Sequence, residues 1–158
     1  MKACLTIGII ALYFSTYLTA CQKIEAITLP QAVTNNAVAY HAPTQSVYSF
    51  AGLGADKDWR SVHANGFKCA ISKRHCETIP PIPDGIGRLA ATAQTIGDTI
   101  YIFGGYSVSE DGEEISMPEV WAYNVNTQTY SPKANMPVPV DDTVSILYQN
   151  RYIYLVSG

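Results

Sequence analysis

Arg88 is a charged side chain in one of three polar loop segments that recur along this chain and could meet a ligand. It ends a loop, Pro83 to Arg88, that leads into a run of small and β-branched residues. Two other polar pairs, Asn35-Asn36 and Asp141-Asp142, lead into similar runs at offsets near 53 residues. If those runs are neighbouring strands, Asn36, Arg88 and Asp142 ring one mouth of the fold. A second set of loops holds Trp59 (Ala55 to Arg60) and the acidic residues Glu110, Asp111, Glu113 and Glu114 (Ser107 to Met117). An indole face can stack on a sugar ring or simply pack a loop. Acidic tips and polar pre-strand residues are also what a solvated loop carries. The binding candidates are therefore Arg88, Asp142, Asn36, Trp59, Glu110 and Asp111, and no catalytic residue is identified.

Other chemistries find no footing. There is no nucleophile elbow, phosphate-binding loop or dinucleotide fingerprint. His41, His63 and His75 lack metal-ligand spacing, and Asp56-Lys57-Asp58 is not a calcium loop. Neither a metal nor another cofactor is expected. With a formal net charge of −3 and no basic stripe, the chain has no footprint for nucleic acid. A hydrophobic content of 47% with 15% charged residues suits a folded domain rather than a disordered one.

The elements that would position these residues repeat. Val47-Tyr48-Ser49-Phe50-Ala51-Gly52, Ile100-Tyr101-Ile102-Phe103-Gly104-Gly105 and Ile153-Tyr154-Leu155-Val156-Ser157-Gly158 end in glycines at 52, 105 and 158, a step of 53 each time. Each segment follows a short apolar run and a tight turn, so each pair reads as a hairpin. The middle unit adds a second hairpin, Val120 to Val125 and Thr129 to Ser131, and ends in Met136-Pro137-Val138-Pro139. Four short strands in about 53 residues is the arithmetic of one propeller blade. Leu89 to Ile96 is rich in small residues, as an innermost strand crowded by its neighbours must be. The aromatics at 101, 121, 123 and 130 are expected to fill the space between sheets.

The strand ending in Gly104-Gly105, followed by Tyr123 and Tyr130 seven residues apart, resembles the Kelch repeat. Tyr130 stands where that family usually has Trp, and Ala51-Gly52 and Ser157-Gly158 replace the glycine pair in the outer units. The expected fold is all-β: a Kelch-type β-propeller fragment of four-stranded antiparallel blades, forming an incomplete ring. Blade one covers 36–87, blade two 88–140, and 141–158 is the first half of a third. A piece so composed is expected to expose an apolar face on its third unit and to be poorly soluble. The order Gly52-Leu53-Gly54, Trp59, Pro83 to Arg88 and Tyr101 to Gly105 resembles exported bacterial Kelch proteins that mutarotate N-acetylneuraminate, and galactose oxidases share the fold. This resemblance implies a carbohydrate-active epimerase whose catalytic residues lie in other blades, with Arg88 as a carboxylate clamp. The competing expectation is a cell-envelope binding module for a glycan or protein ligand at the propeller mouth.

Cys69 and Cys76 fall, at an offset of 54, on Tyr123 and Tyr130. They are expected to face each other across two antiparallel strands and to form a disulfide. His75, adjacent to Cys76 in a strand, points to the opposite face and cannot share a metal with it. Residues 1–20 carry one early Lys, an apolar core and small residues before Cys21, the pattern of a secretory signal. The ending Leu18-Thr19-Ala20-Cys21 resembles the bacterial lipobox, which implies lipidation at Cys21. Gln22 rather than Asp at the next position implies an outer-membrane anchor facing the periplasm. Within 21–35, Ile24 to Pro30 resembles Cys76 to Pro80 and is expected to be a strand that closes the ring.

Overall fold

The computed structural model describes residues 26–156, together with the backbone of two strands, β1 (Lys2–Gly8) and β2 (Tyr17–Lys23), which pair antiparallel. Apart from that backbone, the signal segment lies outside the described residues. So do the side chain of Cys21, residues Ile24 and Glu25 of the proposed ring-closing segment, and Ser157 and Gly158.

Alternating apolar positions and tight turns produce the expected meanders. The first sheet runs β3 (Ala37–His41), β4 (Ser46–Leu53), β5 (Val62–Ala70) and β6 (His75–Ile79) in sequential order. The second contains β7 (Thr92–Ile96), β8 (Thr99–Phe103), β11 (Val120–Asn124) and β12 (Thr129–Pro132). Between β8 and β11, β9 (Tyr106–Val108) and β10 (Glu114–Ser116) pair as a separate two-stranded ribbon. The third unit is the hairpin β13 (Val144–Tyr148) and β14 (Tyr152–Val156). Tyr48 opposes Ala39, Tyr101 opposes Gln94 and Tyr154 opposes Ile146, so the three inner hairpins share one register.

The innermost strands lie side by side, and small residues let them approach. Ala37 and Ala39 of β3 and Ala93 of β7 are buried in the same cluster, with Ala91 just ahead of β7. Between β7 and β13, Thr92 Oγ1 meets Ser145 Oγ at 2.6 Å, and Gln94 Nε2 donates to the Ser145 carbonyl at 2.9 Å. Further out, aromatics fill the widening wedge. Phe50 of the first sheet meets Tyr123 of the second edge-on, with ring centroids 5.6 Å apart, and Tyr123 meets Tyr130 at 4.9 Å. Such pairs add to the area that each ring buries. Cys69 and Cys76 oppose each other across β5 and β6, with Cα atoms 4.0 Å apart, and are joined by a disulfide. Tyr123 and Tyr130 hold the same cross-strand relation in the second sheet.

The glycine pairs do a specific backbone job. Ala51 (φ 57°) and Gly52 (φ 115°) break the register near the end of β4, where Gly104 (φ 53°) and Gly105 (φ 86°) leave β8 in the second sheet. A Cβ on Gly104 would stand 2.2 Å from the Val140 carbonyl oxygen, a contact only glycine avoids. In the first unit Ala51 takes the left-handed conformation, at the cost that Cβ crowding imposes on an L-residue. The far face of the third hairpin is apolar and open to solvent: Val144, Ile146, Tyr148, Tyr152, Tyr154 and Val156 are all exposed, as the sequence led us to expect.

Candidate functional site

The two ends of the sheets differ. At one end the strands are joined only by tight turns, at 42–45, 71–74, 97–98, 125–128 and 149–151. At the other end lie the loops ahead of β3, β7 and β13, the loop between β4 and β5, and the ribbon between β8 and β11. This second end gathers every candidate binding residue.

The pre-strand loops share a left-handed residue two positions ahead of the strand: Asn35 (φ 53°), Ala90 (φ 53°) and Asp142 (φ 46°). The expectation that Asn36, Arg88 and Asp142 are equivalent is therefore corrected. Arg88 lies two residues earlier in its loop than Asp142 does in its own. Its counterpart is Val140, since Gly52 N donates to the Arg88 carbonyl and Gly105 N to the Val140 carbonyl. The offset near 53 hid this slip because the hairpin turns at 97–98 and 149–151 differ in length, so the starts of β7 and β13 fall out of the glycine step.

Arg88 is fully buried, with 0% exposure, and does not line an open mouth. A guanidinium taken out of water needs a counterion. Arg88 has one in this chain: its Nη2 donates to the Asp84 carboxylate. Asp84 also accepts from Trp121 Nε1 at 3.0 Å and from the Ile86 amide at 2.9 Å. Arg88 Nε and Nη1 have no partner among the described residues. Arg88 is thus paired with Asp84, and the assembly fastens the loop ahead of β7 to β11.

The remaining candidates are placed as follows. Asn36 is half-buried and donates to Ser49 Oγ at 2.8 Å. Asp142 is exposed, beside Asp141, which accepts from Ser116 Oγ of the ribbon. Burial, with Glu114, Asp142 and Asp141 nearby, raises the Tyr106 hydroxyl pKa at the base of the ribbon. Glu110 and Asp111 sit at the exposed ribbon tip, where the Ser109 hydroxyl donates to Asp111 and holds its carboxyl below the usual range. Trp59 is half-buried in a single 3-10 turn, Trp59–Ser61, with the Arg60 guanidinium 4.6 Å from its ring centroid.

That turn is firmly built. Asp58 caps it, accepting from the Arg60 amide at 2.9 Å, while Ser61 Oγ donates to the Asp58 carbonyl at 2.7 Å. Gly54 N closes the loop onto the Ser61 carbonyl at 2.9 Å. Against it lies a hollow of about 350 Å³ whose walls include Gln31, Asp56, Arg60, Ser61, His63 and Asn65. Sequence reasoning missed this hollow. The Asp58-x-x-Ser61 spacing was the available sign of an ordered loop, whereas the arrival of Gln31 beside Asn65 had no sequence signature. Among the described residues, no His/Cys/Asp/Glu cluster could hold a metal ion.

Residues 87–137 match the Kelch motif. A search of curated proteins finds no match. Among solved structures 129 chains match, so the likeness identifies an architecture shared too widely to specify an activity. One of them, the structure of YjhT, superposes with a TM-score of 0.65 at 21% identity, covering 84% of this chain. The chain spans 37% of the length of that structure. The fold is thus an arc of Kelch-type propeller blades.

Proposed function

We propose that this arc of blades is a binding module for a glycan or protein ligand, which it engages at the loop end of its sheets. The observation that carries this reading is the asymmetry between the two ends. Tight turns are all that strand connection requires. The other end supports a capped loop and a ribbon, and ordering such segments costs conformational entropy that connection alone does not require. The test is an array of glycans and peptides probed with the chain. Binding that is lost on shortening the ribbon or replacing the 54–61 loop supports the reading, and retention by both variants refutes it.

The sequence supports an envelope location, with export directed by residues 1–20 and a lipid on Cys21 holding the module at the outer membrane, facing the periplasm. Metabolic labelling with a fatty acid tests this. Label is expected on the wild type and absent from Cys21→Ala.

A second reading, mutarotation of N-acetylneuraminate, draws on the sequence resemblance. Against it, the residue that the resemblance casts as the carboxylate clamp, Arg88, is buried and committed to Asp84. Anomeric exchange followed by NMR separates the readings, and no acceleration by this chain is expected.

A further inference from the structure

We infer that the hollow beside the 54–61 loop is a subsite for a neutral six-membered sugar ring. This deepens the binding-module reading and rests on it. Three stretches of chain converge there: the segment ahead of β3 brings Gln31, the capped loop brings Asp56, Arg60 and Ser61, and β5 brings His63 and Asn65. The volume of about 350 Å³ is at the small end of the ~300–1,000 Å³ typical of small-molecule sites. An adjoining hollow of about 330 Å³ shares Asp56, Arg60 and Ser61 and extends the cleft to Asp58.

The lining groups suit hydroxyls. A sugar hydroxyl both donates and accepts, so it pairs with amides, carboxylates and guanidinium groups alike. Asn65 Nδ2 donates to Gln31 Oε1 at 3.3 Å, which leaves the Gln31 amide NH₂ and the Asn65 carbonyl for a ligand. Asp56 forms no ion pair among the described residues and adds an acceptor. The loop is held by its cap before any ligand arrives, so binding would not carry the cost of ordering it.

Charge selects the neutral sugar. Arg60 Nη1 lies 3.1 Å from both carboxylate oxygens of Asp58, and its guanidinium rests on Trp59. Its charge is therefore matched, while Asp56 leaves an unmatched negative charge at the rim. A sugar acid would have to displace Asp58 and approach Asp56, whereas a neutral ring meets neither penalty.

The experiment is saturation-transfer NMR on the full chain with glucose, galactose and N-acetylglucosamine as neutral probes and N-acetylneuraminate as the acidic one. Transfer to at least one neutral sugar is expected, weakened at least fivefold in both Asn65→Ala and Gln31→Ala. These are partly exposed amides, and unchanged melting temperatures verify the fold. The inference is overturned if no neutral sugar receives saturation, if N-acetylneuraminate binds more tightly, or if both variants bind as the wild type does. Should the sugars fail while array ligands still engage the loop end, the subsite falls and the binding-module reading stands. Should both fail, both fall.

Discussion

The amide of Gly52 donates to the carbonyl of Arg88 at 2.9 Å, fastening the exit of β4 to the loop that enters β7. Gly105 repeats the bond one blade on, donating to Val140 at 3.0 Å. Each blade is thus stitched to the next by backbone at the end where the loops gather.

Replacing a stitching glycine should therefore cost more than replacing a turn glycine of similar φ. A Cβ on Gly105 (φ 86°) would stand 2.5 Å from the Leu89 carbonyl oxygen, whereas one on Gly97 (φ 56°) meets nothing within 4 Å. Gly105→Ala is expected to lose more than about 2 kcal/mol, and Gly97→Ala only about 1 kcal/mol, the local cost of the left-handed conformation. Urea unfolding of both variants checks the difference.

The Arg88–Asp84 pair should behave as a structural unit. Arg88→Met leaves Asp84 without its counterion. The expected loss is about 2–3 kcal/mol, below the ~3–5 kcal/mol of fully enclosed pairs because Asp84 retains some contact with water. Adding Asp84→Asn should recover part of that loss, so a double-mutant cycle by chemical denaturation will show non-additivity. Additive losses would mean that the two side chains do not act together.

The Cys69–Cys76 bridge closes a short loop, with a sequence separation of 7. The entropy removed from the unfolded chain corresponds to about 2 kcal/mol. Replacing both cysteines with serine should lower the melting temperature by roughly 4–8 °C. Reductant should have a comparable effect on the wild type and none on the variant.

His63 supplies a pH dependence. Both ring nitrogens are shielded from water with no hydrogen-bond partner among the described residues, and burial lowers the imidazole pKa. The unfolded chain therefore takes up a proton more readily than the folded one, and stability falls as pH drops below about 6.5. Melting temperatures measured from pH 7.5 to 5 should decline, and His63→Phe should flatten the part of that decline due to this residue.

The sequence carried the blades because their signals are local and repeated. Period-2 alternation, tight turns and the 53-residue step placed β3 to β6, β8 and β11 to β14, but overran β7: Leu89 to Ala91, read as its start, lie ahead of it, with Ala90 left-handed. The Tyr123–Tyr130 register then pointed to the disulfide one unit earlier. The site was less legible. The Ser107–Met117 stretch reads as a solvated acidic loop, yet β9 and β10 pair within it, since a three-residue strand gives too short an alternation to register. Arg88 looked like a ligand contact because its counterion, Asp84, sits four residues away on a loop whose path sequence does not specify. The hollow at Arg60 depends on Gln31 meeting Asn65, a contact across 34 residues that no local pattern announces.

Ligand engagement at the loop end is the property on which the proposed binding function rests. Amide chemical-shift mapping during titration with a ligand taken from the array tests it directly. Perturbations should cluster at 31–36, 54–65, 84–91 and 104–117. Clustering at the opposite turns, 42–45, 71–74 and 125–128, would refute engagement at the loop end.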